Sequence, residues 1–145
     1  MISNLGFMQG RLIKDENGTI QSFPSNNWKK EFLKAKTLGL KNMEWTIDRK
    51  NILRNPIFTK SGVKIINEYK SKYLININSA TCDFFMQKPF FKFKNHNMLI
   101  SDVNFFLNKI RKSNIKIIVI PLVDNSSIKN KSIETRVIKY FLSYT

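Results

Sequence analysis

Residues 98–121 read MLISDVNFFLNKIRKSNIKIIVIP. Leu99, Val103, Phe106, Leu107 and Ile110 fall on one stripe at helical spacing, which predicts a helix over about Met98 to Lys112. The run Ile115-Lys116-Ile117-Ile118-Val119-Ile120 follows and stops at Pro121, and it is the strongest strand pattern in the chain. A helix leading into a strand is one half-turn of an alternating α/β fold, and the same alternation extends upstream and downstream. Leu5-Gly6-Phe7-Met8 reads as a first strand, followed by a turn-rich stretch from Lys14 to Gly18. Trp28, Phe32, Ala35 and Leu38 then mark a helix from about Asn27 to Leu38, with Asn26 or Asn27 able to cap it and Gly39 at the C′ position.

Asn42 to Ile47 is the second strand. Beyond Asn55-Pro56, Val63, Ile66 and Tyr69 share one face of a helix over about Ser61 to Lys70. Leu74 to Ser79 is the third strand, in which Ile75 and Ile77 alternate with Asn76 and Asn78. A last helix, about Ser132 to Ser143, carries Ile133, Val137, Tyr140 and Phe141. The order is (βα)₄, which argues for parallel strands joined by right-handed helical crossovers. Two architectures fit, a doubly wound open sheet and half of a (β/α)₈ barrel. The nucleotide-binding open sheets are disfavoured, because Gln9-Gly10-Arg11-Leu12 stands where a glycine-rich phosphate loop would follow the first strand.

At 145 residues the chain has room for one core and is too short for a complete (β/α)₈ barrel, which typically takes about 250 residues. The formal charge of +15 invites a nucleic-acid reading. However, the excess is Lys (20 Lys against 5 Arg) and rises together with 19 Ile, 17 Asn and 12 Phe, as A/T-rich coding would produce. Cys82 is the only cysteine, which leaves no disulfide framework or zinc knuckle. No apolar run reaches membrane-spanning length and no charged-then-apolar leader pattern opens the chain, so a soluble cytoplasmic protein is expected. The sequons at Asn17, Asn125 and Asn130 then read as chance.

The functional rim of either architecture lies at the C-terminal ends of the strands. The first strand ends in Gln9-Gly10-Arg11, the second carries Glu44 and is followed by Asp48, the third leads into Asp83, and the fourth runs into Asp124. Four of only 10 carboxylates thus fall at strand ends in a strongly basic chain. Carboxylates accept hydrogen bonds from hydroxyls, and a guanidinium binds phosphate bidentately, so this rim suits a polyol or a phosphorylated sugar. Each residue also has a plainer role. Glu44 could be a buried ion pair, Asp83 and Asp124 turn caps, Asp48 a loop residue, and Arg11 a carboxylate's partner. His96, the only histidine, is expected in a solvated loop, and Cys82 has no base beside it in sequence to make it a nucleophile. The stretch Phe84 to Lys94 holds five phenylalanines among lysines, a pattern that could stack single-stranded nucleic acid. The preferred expectation is a long rim loop folded over the pocket or against a partner.

Two segments together carry a family resemblance. Gly6-Phe7-Met8-Gln9-Gly10-Arg11-Leu12, followed by Ile20-Gln21-Ser22-Phe23-Pro24 and by Trp28 with Glu31-Phe32, resembles the opening of sugar-phosphate isomerase/epimerases of the xylose-isomerase-like barrel superfamily. Leu38-Gly39-Leu40, Met43-Glu44-Trp45, Asn55-Pro56, Gly62, Cys82-Asp83-Phe84-Phe85-Met86 and Ile120-Pro121-Leu122-Val123-Asp124 continue it in order. The resemblance implies that residues 1–145 are a single partial domain, the N-terminal half of a (β/α)₈ TIM barrel with parallel strands and outer helices. It implies a divalent-metal-dependent proton transfer on a ketose or ketose phosphate, in which the metal polarises the carbonyl. The family's metal ligands, two Glu, one Asp and one His, come from the second half of the barrel. The expectation is therefore that this chain alone binds no metal and is not active alone. Gln9, Arg11, Glu44, Asp83 and Asp124 are left to hold the substrate or to support groups that do. Open sheet edges would favour self-association. Two other readings stand beside this one, a non-catalytic half-barrel remnant and a basic nucleic-acid-binding module. Lysines spread over every helix weigh against the second.

Overall fold

The computed structural model describes residues 5–13, 22–50, 52–92 and 96–143, with main chain alone at 96–100 and 102. Strands β1 (Gly6–Met8), β2 (Asn42–Thr46), β3 (Asn76–Thr81) and β4 (Ile117–Val119) form one sheet in the order β1-β2-β3-β4, with every neighbouring pair parallel. Helices α1 (Trp28–Thr37), α2 (Lys60–Tyr73), α3 (Asp83–Gln87), α4 (His96–Arg111) and α5 (Lys131–Leu142) are interleaved with the strands. The strand order follows the chain without reversing. A doubly wound sheet reverses at its switch point, so the architecture is that of a (βα)₄ half-barrel.

The apolar face of the sheet is legible from the period-two pattern. Met43 and Trp45 on β2, then Ile47, are buried under the helices, as are Ile75, Ile77, Ala80 and Cys82 in and around β3. Trp28, Phe32 and Ala35 of α1, Ile66 of α2, and Val103, Phe106 and Ile110 of α4 close over them. Trp45 is the hub: its ring lies 5.7 Å from those of Trp28 and Phe23, and its indole N–H donates to Asn55 Oδ1 at 3.0 Å. Asn55 also donates to the Thr46 carbonyl and accepts from the Ile57 N–H, tying the end of β2 to the 3₁₀ turn Pro56–Phe58.

The opposite face of the sheet is open and polar at Asn42, Glu44 and Asn76. Two steps along β2, from Asn42 to Glu44, are matched by three along β3, from Asn76 to Ser79. This bulge changes which residues face which side. Ile77 lies on the helix side, and strict alternation would carry Ser79, Thr81 and Asp83 there as well. Instead Ser79 pairs with Glu44 and Thr81 with Thr46 on the open side, which carries the chain on to Asp83 at the same rim.

Several expectations are corrected. Leu74 does not begin the third strand; it ends α2 in the left-handed region at φ 57, exposed, and β3 starts at Asn76. The fourth strand pairs over Ile117–Val119 only, because it is the sheet edge and has a neighbour on one side. His96 is the first residue of α4 rather than part of a loop. Asn130 caps α5, its Oδ1 accepting from the N–H groups of Ser132 and Ile133, while Asn17 lies outside the described residues. The phenylalanine-rich stretch is not a loop over a pocket. Phe84 and Phe85 sit in α3, a short helix that the sequence pattern did not suggest, and Phe90 and Phe91 in a 3₁₀ turn. All four rings are buried: Phe84, Phe85 and Phe90 meet Phe106, Tyr140 or Phe141 at centroid distances between 5.2 and 6.2 Å, and Phe91 packs edge-on against Phe90 at 5.4 Å. Buried rings provide no stacking platform for bases. Phe93 lies outside the described residues. Among the described residues no helix is long and apolar enough to cross a membrane.

Candidate functional site

The site is built at the carboxyl ends of β1, β2 and β3. Gln9, fully buried, extends β1 by side chain where the backbone turns away. Its N–H donates to the Glu44 carbonyl at 2.9 Å, its carbonyl accepts from the Thr46 hydroxyl at 2.9 Å, and its Oε1 accepts from the Thr46 N–H at 3.2 Å. Its Nε2 is buried with no partner among the described residues. Gly10 follows at φ +87, where a Cβ would stand 2.3 Å from the Ser22 carbonyl oxygen, so the tight turn admits only glycine.

Glu31 anchors this turn from α1. Its Oε1 accepts from the N–H groups of Gly10 at 2.9 Å and of Leu12 and Ile13 at 3.3 Å. The carboxylate is fully buried and its Oε2 has no partner among the described residues. Burial outweighs the three N–H donors and the Lys34 charge, and pushes the carboxyl up to about 7. Sequence reasoning did not assign Glu31 a site role, although the signal was present. Glu31 falls on the stripe of Trp28, Phe32 and Ala35, where an acid must be buried and therefore satisfied.

Three further carboxylates converge above the sheet. Glu44 is half-buried and accepts from the Thr81 hydroxyl. Asp48 is buried, and its Oδ2 accepts from the Phe23 N–H at 2.7 Å. Asp83, at the first position of α3, is buried as well. Burial pushes its carboxyl up to about 6, with the negative charges of Asp48 and Glu44 adding to the rise and the exposed Arg11 guanidinium opposing it. A carboxyl near 6 exchanges its proton near neutral pH and can serve as either acid or base. Cys82 is buried, and burial together with the Asp83 and Glu44 charges pushes its thiol up, away from the nucleophilic thiolate.

Of the residues singled out from the sequence, the fold brings Gln9, Arg11, Glu44 and Asp83 to one rim, with Asp48 among them. Asp124 is exposed, at φ 48 at the start of the 3₁₀ turn Asp124–Ser126, and that turn packs against α3. Below the rim, a cleft of about 340 Å³ opens on the polar face, lined among others by Met8, Asn42, Glu44, Asn76, Asn78 and Ser79. Amides and a carboxylate there offer both donors and acceptors to a polyhydroxylated ligand.

Among the described residues no three His, Cys, Asp or Glu side chains are grouped so as to hold a metal ion. Glu44 and Asp48 each already accept a hydrogen bond from the protein. No protein-family model matches the chain, and no curated protein matches it.

Proposed function

We propose that this chain is the substrate-holding half of a sugar-phosphate isomerase/epimerase barrel, acting on a ketose or ketose phosphate by proton transfer. The observation that carries the reading is the convergence of Glu44, Asp48 and Asp83 with Arg11 at the strand ends, where Asp83 holds its proton to about pH 6. In this reading Arg11 takes the phosphate, and Glu44 and the Asn42–Asn76 face take hydroxyl groups. Asp83 exchanges a proton with the carbon beside the carbonyl. A divalent metal, in the family it resembles, polarises that carbonyl, and its ligands come from strands outside these four. The chain by itself is then expected to bind without turning over, in the cytoplasm. The test is titration of the chain with a panel of ketose phosphates and the parent ketoses, followed by NMR or calorimetry. Arg11→Ala is expected to weaken the phosphorylated ligand roughly tenfold, about 1.4 kcal/mol, and to leave the unphosphorylated one unchanged. Absence of binding to every sugar at ~10 mM, a standard free energy weaker than about −3 kcal/mol, would refute it.

Self-association belongs to the same reading. Strands β1 and β4 are both edges, and on β4 the side chains of Ile117 and Val119 are 57% and 39% exposed. An uncovered apolar parallel edge is a template for another strand. Two copies pairing β4 with β1 in both directions would close eight parallel strands.

A further inference from the structure

Successive backbone N–H groups in a turn with a left-handed residue form a concavity that accepts negative charge. The turn after β1 is such a concavity, and the anion it holds is the chain's own. Gly10 stands at φ +87, and the N–H groups of Gly10, Leu12 and Ile13 all donate to Glu31 Oε1, at 2.9, 3.3 and 3.3 Å. The Arg11 N–H donates to the Met8 carbonyl at 3.3 Å. All four N–H groups at positions 10–13 are therefore spent inside the chain. Lys34, three residues beyond Glu31 on α1, holds the same turn from its other polarity, its Nζ donating to the Leu12 carbonyl at 2.8 Å. An anion reaching this turn meets no free amide. It meets the Arg11 side chain, which is exposed while Gly10 is buried and Leu12 and Ile13 are half-buried. The Arg11 guanidinium acts on the Asp83 charge, so its backbone sets where an anion is received relative to the rim acids.

Glu31 is an expensive anchor. It is fully buried on the apolar stripe of α1, and its Oε2 has no partner among the described residues. An apolar residue there would avoid that desolvation cost. What the acid secures in return is the conformation of the turn, whose one exposed side chain past Gly10 is Arg11. We propose that Glu31 is a positioning residue for anion binding: by holding residues 10–13 in one conformation it presents the Arg11 guanidinium to a phosphate at the rim. The inference rests on the reading of Arg11 as the phosphate-binding group.

The test is NMR of the parent, Glu31→Ala and Glu31→Gln, reading amide exchange in the turn and the Arg11 Nε–H signal during titration with inorganic phosphate up to about 100 mM. In the parent the Gly10, Leu12 and Ile13 amides are expected to exchange slowly, and phosphate to shift the Arg11 signal. Glu31→Ala is expected to speed exchange of the three amides and to weaken phosphate, each at least tenfold. Glu31→Gln keeps an acceptor at the same reach and should restore both to within about threefold of the parent. Thermal melts show whether each variant is folded. If Glu31→Ala is not, Glu31→Asp, which keeps the charge but is one methylene too short for the turn, replaces it with the same expectation. Turn amides that exchange freely in the parent would overturn the inference, as would an Arg11 signal that phosphate does not move. So would full phosphate binding in a folded Glu31→Ala or Glu31→Asp, or a Glu31→Gln that rescues neither readout. D-fructose 6-phosphate and D-fructose form the last arm. Selective weakening of the phosphorylated sugar in the short variant supports positioning through Arg11, and equal weakening of both overturns it. If neither sugar binds while phosphate still follows the order of the variants, the sugar reading fails and this inference stands.

Discussion

Glu31 offers the sharpest test of the site's electrostatics, through the substitution Glu31→Gln. The glutamine keeps an oxygen to accept from Gly10, Leu12 and Ile13, but it does not titrate. In the folded chain the carboxyl ionises near 7 rather than at its ordinary 4.5, so between these values the folded state binds the extra proton. Stability must then fall as pH rises through that window, because the ionised form is the one that burial penalises. The interval from 4.5 to about 7, at 1.36 kcal/mol per pH unit, amounts to about 3 kcal/mol. For a domain of this size that is a drop in Tm of roughly 6–12 °C, most of it between pH 5 and 7. Urea unfolding at half-unit steps from pH 4.5 to 8 reads it directly. The variant is expected to lose this portion of the slope and to gain on the parent by about 3 kcal/mol between the two ends. Any constant offset from the amide's buried N–H₂ group is the same at every pH and leaves the slope untouched. Asp83 titrates lower, from 3.8 towards about 6, and its share of the slope should persist in the variant and vanish in Asp83→Asn. If Glu31→Gln falls with pH as steeply as the parent between pH 6 and 8, the assignment of that proton to Glu31 is wrong.

Three further outcomes are expected. Gly62→Ala lies inside α2, where alanine ordinarily gains about 1 kcal/mol over glycine; here the added Cβ would stand 2.1 Å from the Pro56 carbonyl oxygen, so the variant should instead unfold at lower urea. A higher midpoint would show that the Pro56 turn yields easily. Asn55→Ala strands the Trp45 N–H, the Thr46 carbonyl and the Ile57 N–H, at a cost of about 3 kcal/mol or more, and should shift tryptophan emission to the red. An unshifted emission maximum with unchanged stability would contradict that role. Ile117→Lys with Val119→Lys charges the β4 edge, and sedimentation velocity should change from a concentration-dependent species to a monomer. A parent chain that is monomeric at all concentrations up to ~100 μM, a free-energy scale of about −5 kcal/mol, would remove the edge-pairing proposal.

The elements that the sequence made legible are those whose signal is local. The stripe Val103, Phe106, Ile110 and the run from Ile115 to Ile120 announce a helix and a strand because each needs one buried face, and that need is written at spacing 3.6 or 2. The alternation of such patterns fixed the order (βα)₄ before any contact was known. The candidate acids were legible as well, since Glu44, Asp48 and Asp83 fall at predicted strand ends. What stayed hidden depended on partners distant in sequence. The phenylalanines from Phe84 to Phe91 look like an exposed basic-aromatic loop until Phe106, Tyr140 and Phe141 are brought against them.

By itself, then, the amino-acid order determined the class of fold and the end of the sheet at which polar groups gather, because both follow from hydrophobic periodicity. Tertiary structure decided the rest. An extra residue in β3 sets the register that carries Thr81 and Asp83 to the face of Glu44, and no one-dimensional pattern marks a bulge whose cause is pairing with a neighbouring strand. Glu31 became the anchor of the Gly10–Ile13 turn only when α1 was laid against it. Burial and Coulomb interactions act through space, and residue spacing along the chain does not encode them.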